Sequence, residues 1–196
     1  MTPARPPGGE AVIAAIHARR SVSRVRPDPV PRDLVEELLA AAVRAPNHHL
    51  TGPWRFVVLA GDARRRIGEA HARALARAKP DLPVAALAKE AARLERAPVV
   101  IVCVVSSASD DPVERREDRD AVAAGVQNLL LAAGARGLGA MWRTGGMAGE
   151  DEVRDELGLG PRDAVVSFVY LGWPEETAAG PSARPGLQEL VRWDGW

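Results

Sequence analysis

The 196-residue sequence has one cysteine, one tyrosine, two phenylalanines and only two lysines, Lys79 and Lys89, and its formal net charge is zero. A single cysteine excludes an intramolecular disulfide. Cys103 lies in the apolar run VVIVCVV, reads as a buried and inert thiol, and fits a reducing, cytoplasmic setting. With 26 acidic and 26 basic residues, whole-molecule attraction to nucleic acid or to a membrane is not indicated, so any anion site must be local. No apolar run reaches the roughly 20 residues that a spanning helix needs. The longest approach, AVAAGVQNLLLAAG, is interrupted by Gln127 and Asn128. The opening MTPARPPGGE has no apolar core and does not read as a secretion signal.

What is present is 46% apolar and 27% charged sequence, the composition of one soluble globular domain. Residues 1–9 read as a flexible leader rich in Pro and Gly, 10–173 as the domain, and 174–196 as an extended tail. Apolar spacing predicts helices over about 10–18 (Val12, Ile13 and Ile16 on one face), 31–44, 63–79 with Asp62 as cap, 84–96, 114–135 and 150–157. Strands are predicted at WRFVVLAG, APVVIVCVV, GLGAMWR and AVVSFVYLG, the second buried on both faces. Residues 106–113 read as a loop. A few central strands among more numerous helices indicate a sheet covered by helices. Trp193 and Trp196 are expected to anchor the tail by burial.

Three stretches carry chemistry. HARRSVSRVRP, residues 17–27, closes the first helix with Arg19, Arg20 and Ser21. Guanidinium forks and a short hydroxyl match phosphate oxygens, and the same arginines also suit a solvated helix C-terminus. Arg-Arg adjacency alone means little, because 24 arginines give about three adjacent pairs by chance and four occur. RAPNHHLTGPWRF, residues 44–56, carries Arg44, His48 and His49 into a strand. Neither helix nor strand spacing aims both histidines at one ion, and no acidic or cysteine partner is close in sequence, so no metal is expected. GLGAMWRTGG, residues 137–146, sets small residues beside Trp142, Arg143 and Thr144, which fits close approach to an anionic ligand or a plain turn.

In order and spacing, RRSVSR, RAPNHHLTGPWRF, RAPVVIVCVV and GLGAMWRTGG resemble the FMN-dependent nitroreductases, in their compact branch, over about residues 10–173. The resemblance implies an α+β fold, a three-layer α-β-α arrangement with a central, mainly antiparallel sheet, assembled as an intertwined homodimer. It implies one FMN per subunit at the dimer interface, with NAD(P)H as electron donor. Arg19, Arg20, Ser21, Trp142, Arg143 and Thr144 match cofactor-binding positions, and Arg44 and His48 match residues that the partner subunit contributes. Ala132, Ala133, Gly134, Ala135, Arg136 and Gly137 match a segment assigned to the nicotinamide nucleotide. Those types also suit helix termination. Where many relatives place a flavin-bonding amide before Pro-Trp, this chain has Gly52.

The implied activity is transfer of hydride from NAD(P)H to flavin N5, then of electrons to a nitroaromatic, quinone or similar small-molecule acceptor. No catalytic side chain is required, and Arg20 is the candidate for stabilising the reduced ring. Two alternatives are a flavin enzyme dedicated to a biosynthetic reduction, dehydrogenation or dehalogenation, and a non-catalytic flavin- or phospholigand-binding protein. The tail is expected to wrap the partner subunit, and no nucleic-acid or membrane partner is expected.

Overall fold

A computed structural model of the chain describes residues 8–175 and 183–196. The leader expectation for residues 1–7 and the tail expectation for 176–182 lie outside the described residues. Four strands, β1 (Trp54–Ala60), β2 (Val99–Ser106), β3 (Gly139–Arg143) and β4 (Asp163–Gly172), form one sheet in the order β1-β2-β4-β3. Every pairing is antiparallel. The helices are α1 (Gly9–Ala18), α2 (Arg32–Ala42), α3 (Asp62–Ala78), α4 (Val84–Ala91), α5 (Pro112–Ala135), α6 (Asp151–Glu156) and α7 (Leu187–Leu190).

The sequence of β2 explains the layering. Side chains alternate across a strand, so an unbroken apolar strand needs cover on both faces. Val99, Ile101, Cys103 and Val105 pack against α2 and α5, through Val35, Leu38, Val122, Val126 and Leu129. Val100, Val102 and Val104 pack against α3 and α6, through Ile67, Ala70 and Val153. A register shift at Cys103/Val104 sets Ser167 and Val165 of β4 opposite consecutive β2 residues and leaves Val166 as the extra residue. That bulge lets Val165 and Phe168 face one layer while Val166 and Val169 face the other. Leu38 and Leu129 are fully buried, each contributing roughly 1.5–3 kcal/mol. Gly125 lets α5 close onto its neighbours: a Cβ there would lie 2.9 Å from the Ala42 carbonyl oxygen and 3.0 Å from Trp54 Nε1. Trp54 Nε1 in turn donates to the Ala121 carbonyl at 3.1 Å.

Several expected boundaries move for physical reasons. Asp62 does not cap α3; it is the first helical residue, and Gly61 takes the capping position with φ 53°, a conformation glycine adopts freely. The stretch 84–96 divides into α4 and a 3-10 turn over Arg93–Arg96, which places Leu94 fully in the core. α5 begins two residues early because the Asp111 side chain accepts from the Val113 N–H at 2.7 Å. The described part of the tail holds the short α7 and is not wholly extended. Trp193 and Trp196 are not buried in this chain: they are 69% and 98% exposed and meet edge to face at 5.8 Å.

α1 buries none of its residues, and its apolar face is exposed at Val12, Ile13 and Ile16. After it, the chain runs along the ends of β3 and β4. Val22 N–H donates to the Ala140 carbonyl at 3.0 Å and Arg26 N–H to the Trp173 carbonyl at 2.7 Å. Gly139 permits this approach, since a Cβ there would come within 2.7 Å of Val22 Cγ1.

Candidate functional site

Where α1 ends, a cavity of about 550 Å³ opens between Ala15, Ala18, Arg19, Arg20, the C-terminal turn of α5 (Leu130, Leu131, Gly134, Ala135), the Gly137–Leu138 turn, and Pro174 and Glu175. α1 stops because Arg19 takes an extended conformation (φ −59°, ψ 133°) while its N–H still caps the Ala15 carbonyl at 3.0 Å. Arg19 and Arg20 therefore leave the helix end at the cavity. Arg20 Nη1 makes one long bond, 3.4 Å, to the Ala18 carbonyl. Neither Arg19 nor Arg20 forms an ion pair among the described residues, whereas Arg26 meets Asp28 at 3.5 Å. α1 and α5 both direct C-terminal ends here, which carry partial negative charge. Attraction for an anion must come from the two guanidinium groups, against the Glu175 carboxylate on the same wall.

The structure gathers Arg19, Arg20, Gly134, Ala135 and Gly137 on this cavity and places the other expected residues elsewhere. Ser21 is exposed and lies outside it. Trp142 leans into the α2/α5 side of the core. Arg143, one residue on, faces the opposite layer, 5.6 Å above the Tyr170 ring, in a small cleft with Ser23 and Met141. Thr144 is exposed after the strand. Ala132 is half-buried, Ala133 is fully buried in the core, and Arg136 bonds Glu37 through its Nε at 2.8 Å. Burial pushes the Tyr170 phenol up, and the charges of Arg143, Arg93 and Arg96 hold it back. Burial also pushes the Cys103 thiol up to about 12, in line with an inert core cysteine.

Arg44 and His48 stand on the exposed loop between α2 and β1, away from the cavity. A 3-10 turn spans His48–Leu50, with left-handed backbone at His49 (φ 59°) and Leu50 (φ 54°). Asn47 braces it: its side-chain oxygen accepts from Gly52 N–H at 2.8 Å, and its amide donates to the His48 carbonyl and to Thr51 Oγ1, both at 3.0 Å. The fold supplies the histidines with the acidic neighbour that their sequence surroundings lack. Glu117 of α5 lies 3.8 Å from His49 Nε2, and one donor atom from each of His48, His49 and Glu117 falls within 4.8 Å of the others.

Sequence reasoning missed Tyr170, Glu175 and the buried Asp118, which accepts from Ser107 Oγ at 2.6 Å and Thr51 Oγ1 at 2.5 Å. Asp118 had a readable signal. It falls on the same helical stripe as Val122, Gly125 and Leu129, a core position occupied by a carboxylate. Among the described residues, no helix is long and apolar enough to cross a membrane.

Comparison with known proteins gives a consistent result. The nitroreductase family model matches residues 16–173. The Escherichia coli K12 protein YdjA, provisionally named an NAD(P)H nitroreductase, is 32% identical over 162 residues, covering 82% of this chain and 87% of that one. A nitroreductase-like family protein from Bacillus cereus superposes with a TM-score of 0.82 at 27% identity, covering 100% of this chain and 99% of that one. A Desulfovibrio desulfuricans protein, provisionally named a nitroreductase and crystallised with FMN, gives 0.73 at 29% identity, covering 98% and 99%.

Proposed function

The chain belongs to the nitroreductase family, and on that premise we propose that it is a homodimeric, FMN-dependent oxidoreductase. It takes reducing equivalents from NAD(P)H and passes them to a nitroaromatic, quinone or similar acceptor. The observation that carries the reading is the pair Arg19 and Arg20, free of carboxylate partners among the described residues, at the edge of a cavity of about 550 Å³. That volume falls in the range of roughly 300–1,000 Å³ typical of small-molecule sites. The apolar part of the wall, Ala15, Leu130, Leu138 and Ala140, suits a flat aromatic ring, and the cationic part suits a phosphate.

The residues present therefore fit the cofactor. When bound, FMN supplies the redox chemistry, accepting a hydride equivalent and returning two electrons. The chain's own tasks are binding, orientation and charge. Arg19 and Arg20 hold the phosphate or the electron-rich edge of the ring. Gly139 lets the Val22 backbone lie against β3, fixing where those arginines emerge. Trp142, Arg143 and Thr144, at the end of β3, lie outside this cavity and are not assigned to it. Gly134, Ala135 and Gly137, exposed on the cavity wall, leave room for a nicotinamide nucleotide.

A second copy of the chain completes the site. Three features support a dimer: the unburied α1 with Val12, Ile13 and Ile16 exposed, Leu50 at 90% exposure, and the exposed Leu187, Leu190 and Trp193 of the tail. In it, Arg44 and His48 reach the partner's cofactor and the tail wraps the partner subunit. A single buried cysteine fits work in the reducing cytoplasm.

The test is spectroscopic. The purified protein is expected to be yellow, or to become so on adding FMN, and to bleach anaerobically with NADH or NADPH, the faster of the two identifying the donor. A colourless protein that takes up no FMN refutes the proposal.

A further inference from the structure

The loop that carries His48 is strained, exposed and yet fixed. His49 and Leu50 both sit in left-handed backbone, which costs roughly 1–2 kcal/mol per non-glycine residue. Such strain persists only where surrounding contacts over-determine it, and it concentrates where geometry serves function. Here α5 supplies the constraint through two adjacent carboxylates. Glu117 faces His49 Nε2 at 3.8 Å on the outside. Asp118, 2% exposed, reaches the loop from beneath. One Asp118 oxygen accepts from Thr51 Oγ1 at 2.5 Å, and the other accepts from Ser107 Oγ, just past the end of β2, at 2.6 Å. A carboxylate taken out of water is costly unless hydrogen-bonded, so the burial itself ties the loop to the sheet. The loop's outward side contributes nothing to this chain's core: His48 is exposed and Leu50 is 90% exposed.

We propose that Asp118 is a positioning residue for the cofactor site of the partner subunit. Through Thr51 it locks the 47–52 turn in its left-handed shape and presents His48 and Leu50 to the second copy of the chain. This rests on the dimeric flavin reading above. The division of labour is specific. Thr51 transmits the constraint to the loop, whereas Ser107 only satisfies the second oxygen.

FMN affinity and a mixed-dimer experiment test it together. Asp118→Ala and Thr51→Val are expected to raise the Kd for FMN roughly tenfold, because a loop that must be ordered on binding weakens it. Ser107→Ala, which keeps the Thr51 contact, is expected to shift the Kd less than about threefold, and Asp118→Asn, which retains an acceptor for Thr51, to restore most of the affinity. A merely structural role moves Ser107→Ala and Thr51→Val alike. The mixed dimer pairs one subunit carrying Asp118→Ala with one carrying Arg19→Ala and Arg20→Ala. One of its sites then holds every defect and the other holds none. The expected result is one FMN retained per mixed dimer at a flavin concentration where both parental homodimers are largely empty. A mixed dimer as empty as its parents overturns the inference, as does an Asp118→Ala homodimer that binds like the wild type. Thr51→Val, a change on an exposed loop, decides the question if Asp118→Ala does not fold. A wild-type protein that takes up no FMN overturns the flavin reading first, and this inference with it.

Discussion

Replacing Arg20 with alanine separates the two things its guanidinium can do. In this chain it makes a single 3.4 Å bond to the Ala18 carbonyl at a helix end. Removing so long a surface bond orphans nothing buried, and such substitutions usually cost within about 0.5 kcal/mol of folding stability. If the same group holds an anionic cofactor, its removal deletes a charge-assisted hydrogen bond worth about 1.5–3 kcal/mol. At 1.4 kcal/mol per decade this corresponds to roughly a 10- to 150-fold rise in the Kd for FMN. The site is open to water, so the loss should shrink as salt screens it. The assay is quenching of FMN fluorescence on titration with apoprotein at low and high salt, with thermal unfolding of the apoprotein alongside. Arg24→Ala is the charge-matched control: Arg24 lies on the same stretch, is exposed, and does not line the cavity. It should leave the Kd within about threefold of wild type, since loss of one distant exposed charge is mostly screened. Equal effects of the two substitutions, or an Arg20→Ala protein that binds FMN like the wild type, would show that the arginines act as general surface charge or as helix caps. An apoprotein destabilised by several kcal/mol would assign Arg20 to folding.

Two glycines of α5 should respond to the same substitution with opposite sign. Alanine gains about 1 kcal/mol over glycine inside a helix, and at Gly134 a Cβ meets nothing within 4 Å, so Gly134→Ala should stabilise. At Gly125 the Cβ meets the Ala42 carbonyl at 2.9 Å, and overpacking of about 1–3 kcal/mol exceeds the gain; calorimetric midpoints moving the same way in both variants would refute this. Cys103, buried with its thiol pushed up to about 12, should resist a disulfide reagent at pH 8 in the native protein and react once in denaturant. Burial pushes the Glu90 carboxyl up, but the hydrogen bond and charge of Arg93, with His71, outweigh it and leave Glu90 below its ordinary 4.5. A lowered folded-state value stabilises the protein above the unfolded value, and that contribution is lost as pH falls through the folded one. Urea unfolding should therefore show Glu90→Gln less stable than wild type near neutrality, with the gap closing as pH falls below about 4.5. A gap that is constant with pH contradicts the assignment.

The legible parts of the fold were those in which one residue's character settles its neighbours. β2 is apolar at every position from Val99 to Val105, which demands two covering layers, and both are there. The arginine pair was legible as position rather than composition: it closes a helix, and the fold puts a cavity at that closure. The sheet order was less accessible, because β4 enters between β2 and β3 and no local pattern encodes that neighbour. The face of Arg143 follows from strand alternation, but its partner Tyr170 comes from a different strand.

The 44–52 loop shows why the remainder could not be read. The segment NHHLTG contains one glycine, Gly52, and local rules assign left-handed backbone to it first. Gly52 does adopt it (φ 62°), but so do His49 and Leu50, against their own preference. The Asn47 side chain braces the turn locally, and contacts distant in sequence add to it: the Thr51–Asp118 bond joins residues 67 apart, and Glu117 reaches His49 from the same helix turn. Local rules therefore fail where α5 grips the loop and leaves Leu50 in solvent. A sequence violates its own local preferences chiefly where function or strain requires it. The loop's geometry is thus explained by the grip of α5 on Thr51 and His49, and not by apolar packing of its outer face.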